Sequence, residues 1–340
     1  MLPSIWLSAL LWLTMLFYWV APVQSNTDRA IDTDSGKFEF ALIGDMPYRI
    51  VDYWKFDNVI NAINANERLE WVLHAGDIKP GIAPCSDALL LDRLERFQRF
   101  KIPFILTPGD NEWTDCHRAA AGSYQPLERL ARLRELFYPQ PGVSLGQKTM
   151  TMVSQASDSQ YPEFVENVRW TKKRVLFATL HIVGSNNGLV PFASRTQADD
   201  DEVARRIAAV LSWLHQAIDE AEAIEARGIF LLFQADPRFT AAKGKPARHG
   251  FEEILEAFEQ ASLRFRKPIV LAHGDSHRFL IDKPLQVQES ERTLEHVTRV
   301  VTFGDRDVHW LRVVVDPDAP EVFTIHPEII ERNVSGYPLF

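Results

Sequence analysis

Cysteine is scarce in this 340-residue chain, which has only Cys85 and Cys116. Two cysteines form no Cys-x-x-Cys motif, and a chain of this length buries a sizeable core without metal or disulfide support. Positive charge is also short: 37 Lys and Arg face 46 Asp and Glu, for a formal net charge of −9. A broad basic face for nucleic acid is therefore not expected, and only a local basic pocket is compatible with this balance. The chain has no glycine-rich phosphate loop, no Ser-His-Asp signature, no internal repeat and no low-complexity tract.

Charge of either sign is missing from the first 27 residues. Ile5 to Val20 is almost wholly apolar, Ala21-Pro22 follows, and Val23-Gln24-Ser25 offers the small residues a signal peptidase reads. The run falls short of the ~20 apolar residues of a membrane span. It reads as a secretory signal peptide over residues 1–25, with an uncleaved membrane anchor as the alternative. The expected location is periplasmic or secreted, with a membrane as partner only if the segment is retained. In an exported chain an even cysteine pair suggests one disulfide, and two buried thiols are the other reading.

The remainder has an ordinary globular composition, 46% hydrophobic and 24% charged. From Phe38 to Asp275 short apolar runs alternate with longer amphipathic ones, the pattern of an α/β fold. Strands are predicted at 38–43, 70–75, 103–107, 174–183, 228–233 and 268–272, with three more near 299–303, 309–315 and 322–325. Helices are predicted near 52–66, 86–100, 126–136, 199–226 and 251–265, with Ser86 as the N-cap of the second. The expected organisation is a single domain over 37–330, an irregular insertion over about 139–169 and a C-terminal tail at 331–340. Asn333-Val-Ser335 matches the glycosylation sequon, a short and common sequence that carries no weight alone.

Three predicted strands in succession end in Gly-Asp: Gly44-Asp45, Gly76-Asp77 and Gly109-Asp110. Strand ends are where βαβ folds place functional loops, and a glycine permits the tight or left-handed turn that aims the next carboxylate off the sheet edge. One such pair is ordinary, since aspartates there also cap helices and form turns. Three in a row, joined by Gly274-Asp275-Ser276-His277 after a later strand, form a metal-site pattern.

This ordered set, with Asn111-Glu112 after Asp110 and Gln234-Ala235-Asp236-Pro237 between, resembles the calcineurin-like metallophosphoesterase superfamily from about Phe38 to His277. Gly109–Cys116 and Gly184-Ser185-Asn186-Asn187 look like an uncharacterised bacterial branch of it. The resemblance implies a four-layer α/β/β/α sandwich with two packed mixed sheets. It also implies hydrolysis of a phosphate ester by a metal-bound hydroxide. Asp45 is similar to the first-site ligand, Asp77 sits where the bridging aspartate lies, and His277 matches the last histidine of Gly-His-x-His. Elsewhere the motifs depart. Pro47 stands where a ligand histidine is usual, and the neighbouring Tyr48 could substitute, as a tyrosinate does at a different position in purple acid phosphatases. Asp110 replaces an asparagine ligand, Gln234 a histidine and Asp275 another histidine. Asn111 replaces the histidine that assists the leaving group.

The implied metal set is therefore Asp45, Asp77, Asp110, Gln234, Asp275 and His277. Oxygen donors suit harder cations such as Mn²⁺, Mg²⁺ or Ca²⁺. The expected cofactor is one or two divalent ions, with Mn, Mg or Fe preferred over Zn. Asn111 and His181 are the candidate catalytic groups, and Asn186, Asn187 and Arg278 the candidate contacts to a phosphate-ester substrate. The lost ligands leave a second reading open, a catalytically silent binding or envelope-interaction module. If the fold is as implied, Cys85 and Cys116 lie on neighbouring loops after Asp77 and Asp110, and a Cys85–Cys116 disulfide is expected.

Overall fold

Each apolar run that ends in Gly-Asp forms a strand. The computed structural model describes residues 36–287 and 290–334, so the signal segment and the last six residues of the tail lie outside the described residues. The first three strands are β1 (Phe38–Ile43), β2 (Leu69–His74) and β3 (Phe104–Leu106). Then follow β4 (Val153–Ser154), β5 (Val168–Lys172), β6 (Val175–Thr179), β7 (Gly228–Leu232) and β8 (Ile269–His273). The last four are β9 (Leu280–Asp282), β10 (Val297–Val301), β11 (Trp310–Val315) and β12 (Phe323–Glu328). One sheet has the order β12-β11-β1-β2-β3 and the other β4-β5-β6-β7-β8-β10-β9. Parallel pairing joins β1 to β2 to β3 and β6 to β7 to β8 to β10, and the remaining pairs are antiparallel, so both sheets are mixed.

Burial on both faces explains why these strands read as continuous apolar runs. In β1, Phe40 and Leu42 join the cluster between the sheets, whereas Ala41 and Ile43 join the cluster on the outer face. Phe40 meets Phe177 and Phe230 edge-on, with centroids 5.7 and 5.1 Å apart. Such pairs contribute roughly 0.5–1.5 kcal/mol each beyond the area they bury. The first sheet is covered outside by α1 (Tyr53–Ala65), α2 (Asp87–Phe97) and α3 (Pro126–Phe137). The second is covered by α4 (Gln197–Ala223) and α5 (Glu252–Phe265). The four-layer α/β/β/α sandwich follows. Ser86 caps α2, its hydroxyl accepting from the Leu89 amide at 3.3 Å.

Local chemistry accounts for the differences from the predicted elements. The sixth strand stops at Thr179 rather than Val183, because the Ile182 amide turns back onto the Leu180 carbonyl at 2.8 Å. Helix α4 begins two residues early, since Thr196 and Asp199 form a reciprocal capping box. The irregular segment follows one edge of the sandwich rather than an end. Leu145 pairs with Phe104 on the β3 edge, and the chain then forms β4 and β5 on the edge of the second sheet. The Asn333 amide donates to the carbonyls of Lys55 (3.0 Å) and Val308 (2.6 Å) and is buried, which closes the sequon to modification. No described helix is long and apolar enough to cross a membrane.

Cys85 and Cys116 are disulfide-bonded, with Cα atoms 5.7 Å apart and a sequence separation of 31. The bond joins the loop before α2 to the short helical turn Thr114–His117 that follows Asp110. The double variant Cys85→Ser/Cys116→Ser should lose roughly 3–4 kcal/mol of stability by the loop-entropy argument, measured by urea unfolding. An unchanged midpoint would contradict that assignment.

Candidate metal centre

The β1–α1 and β2–α2 loops open on aspartates that are themselves left-handed. Asp45 (φ 52°), Asp77 (φ 56°), Asp275 (φ 71°) and His277 (φ 58°) all adopt positive φ. The expectation that the preceding glycines carry the turns holds only for Gly76 (φ 80°) among the Gly-Asp pairs. A non-glycine residue held there costs about 1–3 kcal/mol, and such strain clusters at functional sites. Two glycines serve by size instead. A Cβ at Gly109 would lie 2.1 Å from Asp77 Oδ1, and one at Gly274 would lie 2.4 Å from Asp45 Oδ2. Each glycine makes room for another loop's carboxylate.

Asp45, Asp77 and His277 each present one ligand atom, and these atoms all lie within 4.8 Å of one another. Among the described residues this is the one such group of three or more histidine, cysteine or carboxylate side chains. Asp45 Oδ1 is 3.4 Å from His277 Nε2 and accepts the Asp275 amide at 3.0 Å; Thr302 donates to Oδ2 at 3.3 Å. Tyr48 stands in the gap that Pro47 leaves. Its hydroxyl donates to Asp77 Oδ2 at 3.0 Å and lies 3.2 Å from His277 Nε2. Asn111 Nδ2 donates to Asp77 Oδ2 (2.7 Å) and to the Tyr48 hydroxyl (3.0 Å), and the Asn111 amide donates to Asp77 Oδ1 at 3.2 Å.

The electrostatics of this cluster call for a cation. Burial, reinforced by the other carboxylates, pushes Asp45 and Asp77 well above the usual carboxylate range. Burial raises Asp110 to about 6 and Asp275 to about 7. Close cationic relief is sparse. Lys79 is fully buried and spends its ammonium on the carbonyls of Pro80 (3.1 Å) and Ala83 (2.9 Å), with its pKa lowered to about 8 by desolvation. Arg118 pairs with Asp115 at 2.6 Å. Two carboxylates and one imidazole nitrogen converging in a negative, buried setting fit a divalent ion.

The other candidate residues are placed as follows. Asp110 Oδ2 accepts from the Ser185 hydroxyl at 2.8 Å, and Ser185 also contacts Asp115 Oδ1 at 2.7 Å. Gln234 Oε1 accepts from the Gly184 amide at 2.7 Å, leaving the buried Nε2, a donor, unpartnered. Asp275 Oδ2 accepts from the Asp236 amide at 2.8 Å. Asp110 and Asp275 are not members of the close group of ligand atoms. Ser185, Asn186 and Asn187 form a left-handed turn, and both asparagine side chains hold it: Gly250 donates to Asn186 Oδ1 at 3.0 Å, and Asn187 Nδ2 donates to the Gly250 carbonyl at 3.0 Å. Arg278 is exposed beside His277.

His181 is fully buried, with Nδ1 2.6 Å from Glu166 and Nε2 unpartnered beside the Trp113 ring. Burial works to raise Glu166, but Arg134 and then His181 overcome it and hold the carboxyl well below its usual range. His273, on the opposite face, stacks on Phe233 with centroids 5.4 Å apart.

Two roles escaped the sequence reading. Glu112 accepts from the amides of Gly109 (2.6 Å), Asp77 (3.2 Å) and Ile78 (3.4 Å), tying two ligand loops together. Arg118 stands at the mouth: a Cβ at Gly81 would lie 2.6 Å from Asn111 Oδ1 and 2.8 Å from Arg118 Nη1. Its place three residues after Asp115, just past the motif ending at Cys116, was the available signal.

Residues 38–226 match the calcineurin-like phosphoesterase family, and the chain belongs to it. It is similar in structure to GAP50, the anchor in the inner membrane complex of Plasmodium, at 10% identity over 86% of this chain and 89% of that one, with a TM-score of 0.46. It is likewise similar to PhoD, at 12% identity over 83% of this chain and 64% of PhoD, just under two thirds of that protein's length, with a TM-score of 0.48. No curated protein matches the chain.

Two outcomes follow. Raised carboxyl pKa values mean that the folded chain binds more protons than the unfolded one. Stability without metal should therefore fall as pH rises from the ordinary aspartate value of about 4 through the raised values near 6 and 7. Mn²⁺ should raise the thermal midpoint, and more at about pH 7.5 than at about pH 5.5, because protons compete for the same oxygens. Scanning calorimetry with and without metal at both pH values decides it; an equal shift at both would contradict the assignment.

Glu166 has the opposite sign. Its depressed pKa contributes stability that is present above about pH 4.3 and lost below it. Glu166→Gln should cost about 3 kcal/mol at neutral pH, and the deficit should shrink as pH falls below about 4. Urea titrations of both proteins across that range measure it.

Proposed function

We propose that this protein is an exported, metal-dependent phosphoesterase. The observation that carries the reading is the convergence of Asp45, Asp77 and His277 from separate strand ends to within 4.8 Å. The disulfide supports a location in an oxidising compartment, periplasmic or secreted. These three side chains would hold the cation, with the Tyr48 hydroxyl in reach as a further oxygen donor. A bound divalent ion supplies Lewis acidity that polarises a phosphoryl oxygen and lowers the pKa of water.

The chain's own residues set the rest. Asn111 and Tyr48 fix the Asp77 carboxylate by donating to the same oxygen, which orients its other lone pairs. Arg118 places a guanidinium, always charged, beside Asn111 at the mouth, where an incoming phosphate ester carries its negative charge. Asn111 has no acidic proton to give an alkoxide. The chemistry therefore favours esters whose leaving group is already a weak base.

Metal-loaded protein should hydrolyse aryl phosphates faster than alkyl phosphates, in both monoester and diester panels. Asp77→Ala should remove at least about a hundredfold of that activity and lower the metal stoichiometry measured by elemental analysis. Full metal occupancy with no turnover on any ester would instead assign the fold a silent binding role.

A further inference from the structure

The three most exposed large apolar side chains among the described residues are Ile50 (80%), Ile82 (74%) and Val51 (72%); the next is Ile329 at 52%. Ile50 and Val51 open the short helical turn Ile50–Asp52, and Ile82 lies in a loop. Ile50 and Val51 follow Tyr48 on the loop that carries Asp45, and Ile82 follows Gly81 on the loop that carries Asp77. Tyr48 touches Asp77 and His277, and a Cβ added at Gly81 would meet Asn111 and Arg118. Both apolar groups therefore sit on loops that carry residues of the metal centre.

We propose that these side chains form an apolar lip that selects phosphate esters with an apolar alcohol portion. The inference rests on the phosphoesterase reading and names the substrate class for that site. With the phosphoryl group at the centre formed by Asp45, Asp77 and His277, beside Asn111 and Arg118, a hydrocarbon group on the ester oxygen would meet Ile50, Val51 and Ile82 on its way to solvent. Isolated exposed aliphatic side chains need no explanation, but three extreme cases concentrated on the ligand loops do. A surface built to lie on an anionic membrane would carry unpaired basic residues among its apolar ones. Here Arg49 is paired with Asp52 (2.5 Å) and Asp305 (3.3 Å), and Arg118 with Asp115 (2.6 Å). The occupant favoured by these pairings is the substrate itself.

Calorimetric binding of alkylphosphonates to Mn²⁺-loaded protein tests this without requiring turnover. Affinity should rise roughly tenfold or more from methylphosphonate to hexylphosphonate. In the triple variant Ile50→Ser/Val51→Ser/Ile82→Ser it should be nearly flat with chain length, methylphosphonate binding and the unfolding midpoint being unchanged. Wild-type affinity independent of length overturns the lip while leaving the phosphoesterase reading intact. Failure to bind any phosphonate, with metal bound, overturns both. Co-sedimentation with phosphatidylglycerol vesicles that the variant loses, without chain-length dependence, overturns the substrate assignment in favour of a membrane contact.

Discussion

The rest of this structure depends on confining several carboxylates at one end of a two-sheet sandwich with almost no water around them. Asp45, Asp77, Asp110, Asp115 and Glu112 are all buried, and each sits above its ordinary pKa with desolvation as the leading cause. Like charges so placed repel strongly, and the fold holds them only because rigid strands deliver each one from a separate loop. Parallel pairing of β1, β2 and β3 puts their C-terminal ends on one edge, so the repulsion is a consequence of topology.

The restraints that oppose this repulsion are mostly polar and short-range. Backbone amides of Asp77, Ile78 and Gly109 converge on Glu112, and the Asp45 amide donates to the Gly76 carbonyl at 3.0 Å. The disulfide ties the loop past Asp77 to the turn past Asp110. Backbone strain at Asp45, Asp77, Asp275 and His277 persists because these contacts over-determine the loop conformations. The β-strand frame supplies the stability, and the loops spend part of it to hold an arrangement unfavourable on its own.

The sandwich was legible because its signals are local. Apolar runs buried on both faces, helix caps such as Ser86 and the repeated Gly-Asp strand ends are properties of short windows. Asp45, Asp77 and His277 were legible for the same reason, as each ends a strand-like run. What a side chain does after it leaves the loop was not legible. Asp110, Gln234 and Asp275 sit on the predicted loops, and one oxygen of each accepts from Ser185, Gly184 or Asp236, contacts that no short window of sequence announces. Asn186 and Asn187 look like substrate contacts by position, but they are taken up by Gly250 across 63 or 64 residues of sequence. Glu112 and Arg118 were missed because their meaning depends on amides and side chains from other loops. His181 and Glu166 share this property: a buried hydrogen-bonded pair leaves no periodic trace.

Ser185 carries one further lesson, in proton bookkeeping. Its hydroxyl has a single hydrogen but lies 2.8 Å from a carboxylate oxygen of Asp110 and 2.7 Å from one of Asp115. Only one of those contacts can use the hydroxyl hydrogen; the other needs a hydrogen from the acid itself. The Ser185 hydrogen therefore serves one of the two carboxylates at a time, and burial, which raises the pKa of both, favours a proton on the other. The Asp110–Ser185–Asp115 unit thus makes the charge beside Asn111 depend on pH.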